Sequence, residues 1–320
     1  MAVAMNPTGW LLALLQTLLF VAAAPLFGAW IKRVKCWLQN RRPPSLLQPY
    51  RDLRRLFSKQ VVLAEHASVI FRLTPYLVFG AIIMAATVTP FITLDTPTTA
   101  IADAIVLTGF FALARFFLAL AGMDIGTAFG GMGASREMTV SALAEPAMLM
   151  MVFTVSMVAS STNLATVITS IEHQMVMTRP SLWFAALGFL LVIVAETGRI
   201  PVDNPSTHLE LTMIHEAMIL EYSGRHLAML EWAAQLKLLV YAVLAINIFN
   251  PWGIAHSDGL APLAIATALM AGKLMLFGTL LAAAETVLAK IRLFQVPVFL
   301  MLAFTLALGG MLCFIILEAG

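Results

Sequence analysis

Six ionisable residues stand inside or at the edge of long apolar stretches: Arg115, Glu145, Glu196, Lys237, Lys273 and Glu285. A charge at the centre of a bilayer costs at least about 2.5–3.5 kcal/mol on insertion scales. Such residues therefore serve an ion or proton path, or they neutralise one another between helices. For Glu285 and Lys237 a paired or snorkelling position at a helix end fits equally well. Lys273 lies near the middle of its stretch, cannot easily snorkel, and requires a carboxylate or water beside it. Glu145 is followed by Pro146, which lacks an N–H and frees one backbone carbonyl. A carboxylate beside such a break suits a proton relay.

A second group of acids falls at 196–232: Glu196, Asp203, Glu210, Glu216 and Glu221, with Arg199, His208, His215 and Arg225 among them. Asn204 can cap a helix that starts at Pro205. On a continuous helix from there, Glu210 and Glu221 would sit about three turns apart on one face. Desolvation and mutual repulsion in a row of carboxylates raise some of their pKa values, as a proton path needs. His208-x-Glu210 is a weak metal signal on its own. None of the six histidines is in the middle of an apolar stretch, which disfavours a bis-imidazole haem. The glycine-dense segment 122–137, with Asp124, Arg136 and Glu137, lacks the Gly-Lys-Ser/Thr ending of a phosphate loop. Its glycines suit close backbone approach or an irregular turn at the membrane face. Cys36 and Cys313 form neither a metal spacing nor a disulfide framework. No enzyme active site is evident.

The elements that must carry these residues follow from composition. Of 320 residues 61% are hydrophobic and 11% charged, against about 45–50% and about 25% in soluble domains. A soluble enzyme, a disordered tail and a nucleic-acid binder are excluded. Near-continuous apolar runs at 9–31, 75–94, 102–122, 139–160, 181–197, 233–250, 261–284 and 296–317 predict an all-α, polytopic membrane domain over 1–320, with about eight helices. A membrane barrel would alternate with a period of two. The first run is too long for a cleaved signal.

The segment 32–74 carries ten basic residues against two acidic ones, a net +8 that leaves −6 for the rest of the chain. The positive-inside rule puts this loop in the cytoplasm and, with eight spans, both termini outside. Arg136, Arg199, Arg225, Lys290 and Arg292 also fall on the inner side, and only Arg179 on the outer. Clustered Lys/Arg beside a span serve orientation and anionic headgroups. The same loop holds three prolines and an amphipathic run from Gln48 through Leu53, Leu56 and Phe57, which suits docking of another subunit.

Three motifs carry a family resemblance. They are Arg41-Arg42-Pro43 with Leu47-Gln48-Pro49 and Leu56-Phe57-x-Lys59; Arg136 with Glu145; and Glu196-x-x-Arg199-x-Pro201-x-Asp203 with Glu210-Leu211 and Glu221-Tyr222-Ser223. At these residues the chain resembles the subunit-1 family of respiratory complex I. Within it, the chain looks most like the membrane anchor of group 4 membrane-bound nickel–iron hydrogenases, of formate hydrogenlyase or hydrogenase-4 type. The runs Phe129–Glu137 and Asp203–Glu210 resemble that branch. Ser206-Thr207-His208 replaces the acidic stretch of the quinone-reducing enzymes, so no quinone-binding residues are carried over.

The resemblance implies a subunit without cofactors of its own, in the cytoplasmic membrane of a prokaryote. Its partners would be the hydrogenase large and small subunits, a ferredoxin-like iron–sulfur subunit and antiporter-like membrane subunits. Iron–sulfur clusters and a nickel–iron centre would lie in those partners. An ion path would use Glu145, Glu196, Asp203, Glu210, Glu216, Glu221, Lys237, Lys273 and Glu285. Arm docking and positioning would fall to Arg41, Arg42, Gln48, Arg51, Asp124, Arg136, Glu137, Arg199 and Arg225. The rival readings are the quinone-site subunit of NADH:quinone oxidoreductase, a stand-alone secondary transporter, for which the halves show no convincing repeat, and a passive anchor.

Overall fold

The computed structural model describes residues 7–94, 96–173, 179–203, 213–255 and 259–318. Asn204, Pro205, His208 and Glu210 lie outside the described residues, as do the expectations placed on them. Eleven α-helices make up the described chain: α1 (Pro7–Leu38), α2 (Gln48–Ser58), α3 (Val69–Val88), α4 (Ala104–Asp124), α5 (Ala128–Ala159), α6 (Leu164–His173), α7 (Pro180–Glu196), α8 (His215–Ile219), α9 (Gly224–Phe249), α10 (Leu260–Val287) and α11 (Val296–Cys313). Among the described residues there is no strand, only two isolated bridges, Thr93 with Ala255 and Asp103 with Asn163.

The eight expected apolar runs each correspond to one helix. Among the described residues seven helices are long and apolar enough to cross a membrane, and α7 is apolar but only 17 residues long. The chain is an all-α polytopic membrane protein. At about 1.5 Å per residue α7 reaches about 24 Å, less than the roughly 30 Å hydrocarbon thickness. The backbone from Thr197 to Asp203 therefore continues inside the bundle, where Val202 and Asp203 are buried. Non-helical backbone at that depth is tolerated where protein or a cavity, not lipid, surrounds it.

The close approach and irregular turn expected of residues 122–137 are both found, whereas helical expectations further along the chain are revised. Residues 122–137 turn irregularly only at 125–127, and α5 starts at Ala128, with Thr127 Oγ1 accepting from Gly130 N at 3.2 Å. α5 then runs unbroken through Pro146, so Glu145 sits on a continuous helix. Nor does a helix continue from 205 to Glu221. Met213 and Ile214 are non-helical, α8 is five residues long, and Glu221 lies in an exposed turn before α9. The face drawn for Glu210 with Glu221 lies outside the described residues.

In lipid, helices gain nothing from hiding apolar surface from one another, so small residues that permit close contact decide the packing. The seam of α7 with α11 shows this. Ser181, Ala185 and Gly188 face Ala303, Ala307 and Gly310. A Cβ added at Gly188 would stand 3.0 Å from the Ala303 carbonyl, and one at Gly310 2.9 Å from that of Ser181. Close approach also explains Gly133, where a Cβ would stand 2.9 Å from Ala217 of α8. α9 is the central post, buried along most of its length; its Tyr241 stacks on Phe111 of α4 at 4.5 Å. The N-terminal ends of α4 and α7 are tied by side chains. Asp103 caps α4 and accepts from Thr162 at 2.6 Å, and Glu318 accepts from Ser181 N and Oγ at 3.0 and 2.8 Å.

Gly310→Val forces the α7–α11 seam apart at backbone, and overpacking of this kind costs about 1–3 kcal/mol. A lowered unfolding temperature in detergent with unchanged helix content is expected. Gly109→Ala, with open space around its Cβ, leaves that temperature unchanged or raises it.

Candidate functional site

Four helices converge on one set of charges. Arg115 of α4 holds Glu196, the last residue of α7, through Nη1–Oε1 at 2.8 Å. Lys237 of α9 holds the other oxygen of the same carboxylate at 2.9 Å. Glu145 of α5 approaches Arg115 more loosely, at 3.5 Å, and accepts from Ser141 Oγ at 2.9 Å. The side chains of Arg115 and Glu196 are 5% and 2% exposed, whereas Glu145 is 37% exposed toward the outer flank of α5. The carboxylate of Glu196 is thus clamped between two cations in the interior, and Glu145 connects that clamp to the rim of the bundle.

Beside the clamp is a cavity of about 80 Å³, lined by Arg115, Glu137, Glu196, Asp203, His215 and Lys237 and by apolar groups of α3, α4 and α9. That volume accommodates several waters among enough polar partners to hold them. Toward the ends of α7 and α10, Asp203 accepts from the backbone N–H groups of Ile214 and His215 at 3.2 and 3.4 Å and pairs with Lys290 at 3.5 Å. These bonds close the two described ends of the 203–213 segment onto each other, and Ile291 N donates to the Pro201 carbonyl at 3.0 Å. Arg136 donates to the Met213 carbonyl at 2.9 Å. His215 is half-buried; desolvation lowers its pKa, with Glu216 and Asp203 opposing the shift.

A second buried carboxylate, Glu285 of α10, is paired with Lys35 of α1 and with Arg199 Nη1 at 2.7 Å. Lys273 stands apart from all of these. Its ammonium donates to the carbonyls of Asn250, at 2.8 Å, and Trp252 and lies 4.2 Å from the Trp252 ring centroid, at the far end of α9. These carbonyls lie just past the end of α9, and Glu172 of α6 acts on the ammonium electrostatically, as the expected carboxylate would. Among the docking candidates, Arg41, Arg42, Arg51 and Arg225 are exposed, Gln48 donates to Asp52 at 2.9 Å, and Asp124 accepts from Ser68 N at 3.0 Å. Glu216 is half-buried and Glu221 exposed.

The fold thus brings Glu137, Glu196, Asp203 and Lys237 to one cavity and joins Glu145 to it through Arg115. Glu285, Lys273, Glu216 and Glu221 are not on that cavity. Arg115 was visible as an ionisable residue in an apolar run, yet nothing in its neighbourhood in sequence singled it out as the hub. Lys35 and Lys290 looked like orienting surface charges; only the fold makes them partners of Glu285 and Asp203. Arg136, a positioning candidate, bonds the loop before α8.

The site and fold together define a polytopic helical membrane protein whose interior carries a paired chain of ionisable groups beside a water-sized cavity. Residues 11–316 match the NADH dehydrogenase family model, and the chain belongs to that family. It is 33% identical to formate hydrogenlyase subunit 4 of Escherichia coli K12, with 89% of this chain and 92% of the relative covered. It is 32% identical to hydrogenase-4 component C of the same organism, covering 92% of each. An NADH-quinone oxidoreductase subunit of Geobacter sulfurreducens is 28% identical, with 68% and 70% covered. In fold, a chain of the membrane-bound sulfane sulfur reductase, an archaeal respiratory membrane complex, superposes with a TM-score of 0.83 over 95% of this chain and 99% of its own, at 18% identity.

Removing Arg115 leaves a buried carboxylate with one cation in place of two, a change that costs about 3–5 kcal/mol in buried pairs. Arg115→Gln is expected to lower the unfolding temperature in detergent sharply. Adding Glu196→Gln to it recovers part of the loss, because the stranded charge is gone.

Proposed function

We propose that this chain is a membrane subunit of a redox-driven, ion-translocating complex. It docks a cytoplasmic hydrogenase arm and couples that arm's electron transfer to proton or sodium movement through intramembrane carboxylates. The observation that carries this reading is the run of ionisable groups from Asp203 and His215, through the cavity, to Glu196, Lys237 and Arg115, and on to Glu145 at the flank of α5. The formate hydrogenlyase and hydrogenase-4 relatives supply the class of complex.

The iron–sulfur clusters and nickel–iron centre belong to the large, small and ferredoxin-like partner subunits. Antiporter-like subunits meet the bundle within the bilayer. The basic loop faces the cytoplasm, both termini face outward, and the membrane is the cytoplasmic membrane of a prokaryote. Arg41, Arg42 and Arg225, all exposed, are available to the arm.

Three carboxyls, Glu137, Glu145 and Glu196, surround the two cations Arg115 and Lys237. In a low-dielectric interior such a cluster is neutral only with one proton added. That proton is the mobile charge. It moves toward His215 and Asp203 or toward Glu145 as the arm's electrostatic state changes.

In the assembled complex, Glu196→Gln and Glu145→Gln are each expected to reduce redox-driven ion uptake into inverted vesicles at least about tenfold, since each removes an acid–base relay of the kind that contributes about 10²–10⁴-fold in rate. For Glu145→Gln electron transfer and subunit composition stay unchanged, whereas Glu196→Gln, which leaves Arg115 and Lys237 without their shared carboxylate, is compared in complexes of intact subunit composition. Unchanged uptake would make the chain a passive anchor. Mass spectrometry and metal analysis of the purified complex test the arm: nickel with hydrogenase subunits supports the proposal, whereas bound quinone, an NADH-oxidising arm and no nickel point to the quinone-site alternative.

A further inference from the structure

We propose that α2 forms a binding site for an anionic phospholipid headgroup, with Arg51, Arg54 and Arg55 as its phosphate ligands. The three arginines occupy one helical face, at i, i+3 and i+4, and with Leu47 and Tyr50 they line an open depression of about 310 Å³. Among the described residues Arg51 and Arg54 have no ion pair, and Arg55 has only a 3.9 Å contact with Asp52. A guanidinium matches a phosphodiester with two parallel hydrogen bonds, and three on one face surround it.

The placement of α2 selects a lipid as occupant. The helix lies along the flank of the spans, not beyond their ends. Its Tyr50 hydroxyl bonds the Ala22 carbonyl of α1. Its Phe57 packs edge-on against Trp232 of α9 at 6.2 Å, and Trp232 Nε1 bonds the Val21 carbonyl at 3.0 Å. Leu53 is buried against this surface, while Leu47 and Phe57 stay 55% and 44% exposed beside the arginines. Exposed apolar side chains next to arginines, on a helix seated against membrane spans, describe an interfacial helix in the headgroup layer. The site is independent of the function proposed above.

The test uses the full chain purified in mild detergent with whatever subunits accompany it. It is delipidated and titrated with phosphatidylglycerol, cardiolipin or phosphatidylcholine in mixed micelles, and binding is read by native mass spectrometry. The two anionic lipids are expected to bind at least about tenfold more tightly than phosphatidylcholine, from three arginines near a headgroup. Inorganic phosphate should not displace them. Arg51→Gln/Arg54→Gln/Arg55→Gln removes the preference, whereas Arg41→Gln/Arg42→Gln/Lys59→Gln, with the same loss of charge, keeps it. Where the α2 triple variant fails to insert, the fully displayed Arg54→Gln alone weakens anionic binding several-fold. Equal loss in both triple variants means diffuse attraction and overturns the site. So does displacement by inorganic phosphate, and so does loss of a soluble subunit from the α2 variant with lipid preference intact.

Discussion

A carboxylate withdrawn from bulk water has to be neutralised where it stands, and Glu196 is neutralised by Arg115 and Lys237 at once. In hydrocarbon this pairing cannot be exchanged for solvation, so it is a constraint on the geometry of the whole bundle. It sets the end of α7 against the middles of α4 and α9, and through Arg115 it draws in Glu145 of α5. Leaving any one of these partners alone would strand a charge. The helices can move relative to one another only if the charges move with them.

That constraint shapes the path of the chain. Because α7 is short, its terminal carboxylate is delivered into the interior, and the backbone after it must satisfy its polar groups there. Asp203 does so by taking the N–H groups of Ile214 and His215, and Pro201 by accepting from Ile291. The ends of a long connection are thereby clamped to the cavity they enclose. The small-residue seams then bring the backbones close: Gly188 and Gly310 let α7 and α11 meet, and Gly133 lets α8 lie on α5. Charge pairing fixes which helices converge, and these residues set how closely.

Membrane class and spans were legible because hydrocarbon imposes a length and a polarity on any helix that crosses it, so α1, α3, α4, α5, α9, α10 and α11 each announced themselves. The ionisable residues were equally visible, since an apolar run makes each charge conspicuous. Boundaries were harder. α5 begins at Ala128, well before the expected run from 139, because its glycine-dense first turns pack on α8, and tertiary contact outweighs glycine's low helix propensity. The helix expected to run on to Glu221 is interrupted at Met213 and Ile214, where Asp203, 11 residues earlier, takes the Ile214 N–H.

By itself, the sequence determined the kind of solvent this protein lives in, the rough number of crossings, the basic loop and the inventory of buried charges. Those properties depend on residue type and local spacing. Which charges meet was decided by tertiary structure alone. Arg115 and Glu196 lie 81 positions apart, and Lys35 is separated from Glu285 by most of the chain, so no local period encodes either pair. The same holds for Lys273, which meets the carbonyls of Asn250 and Trp252 just past α9 and the charge of Glu172 on α6. Pairing in the interior is a property of helix packing, and packing is fixed only once every helix has found its neighbours.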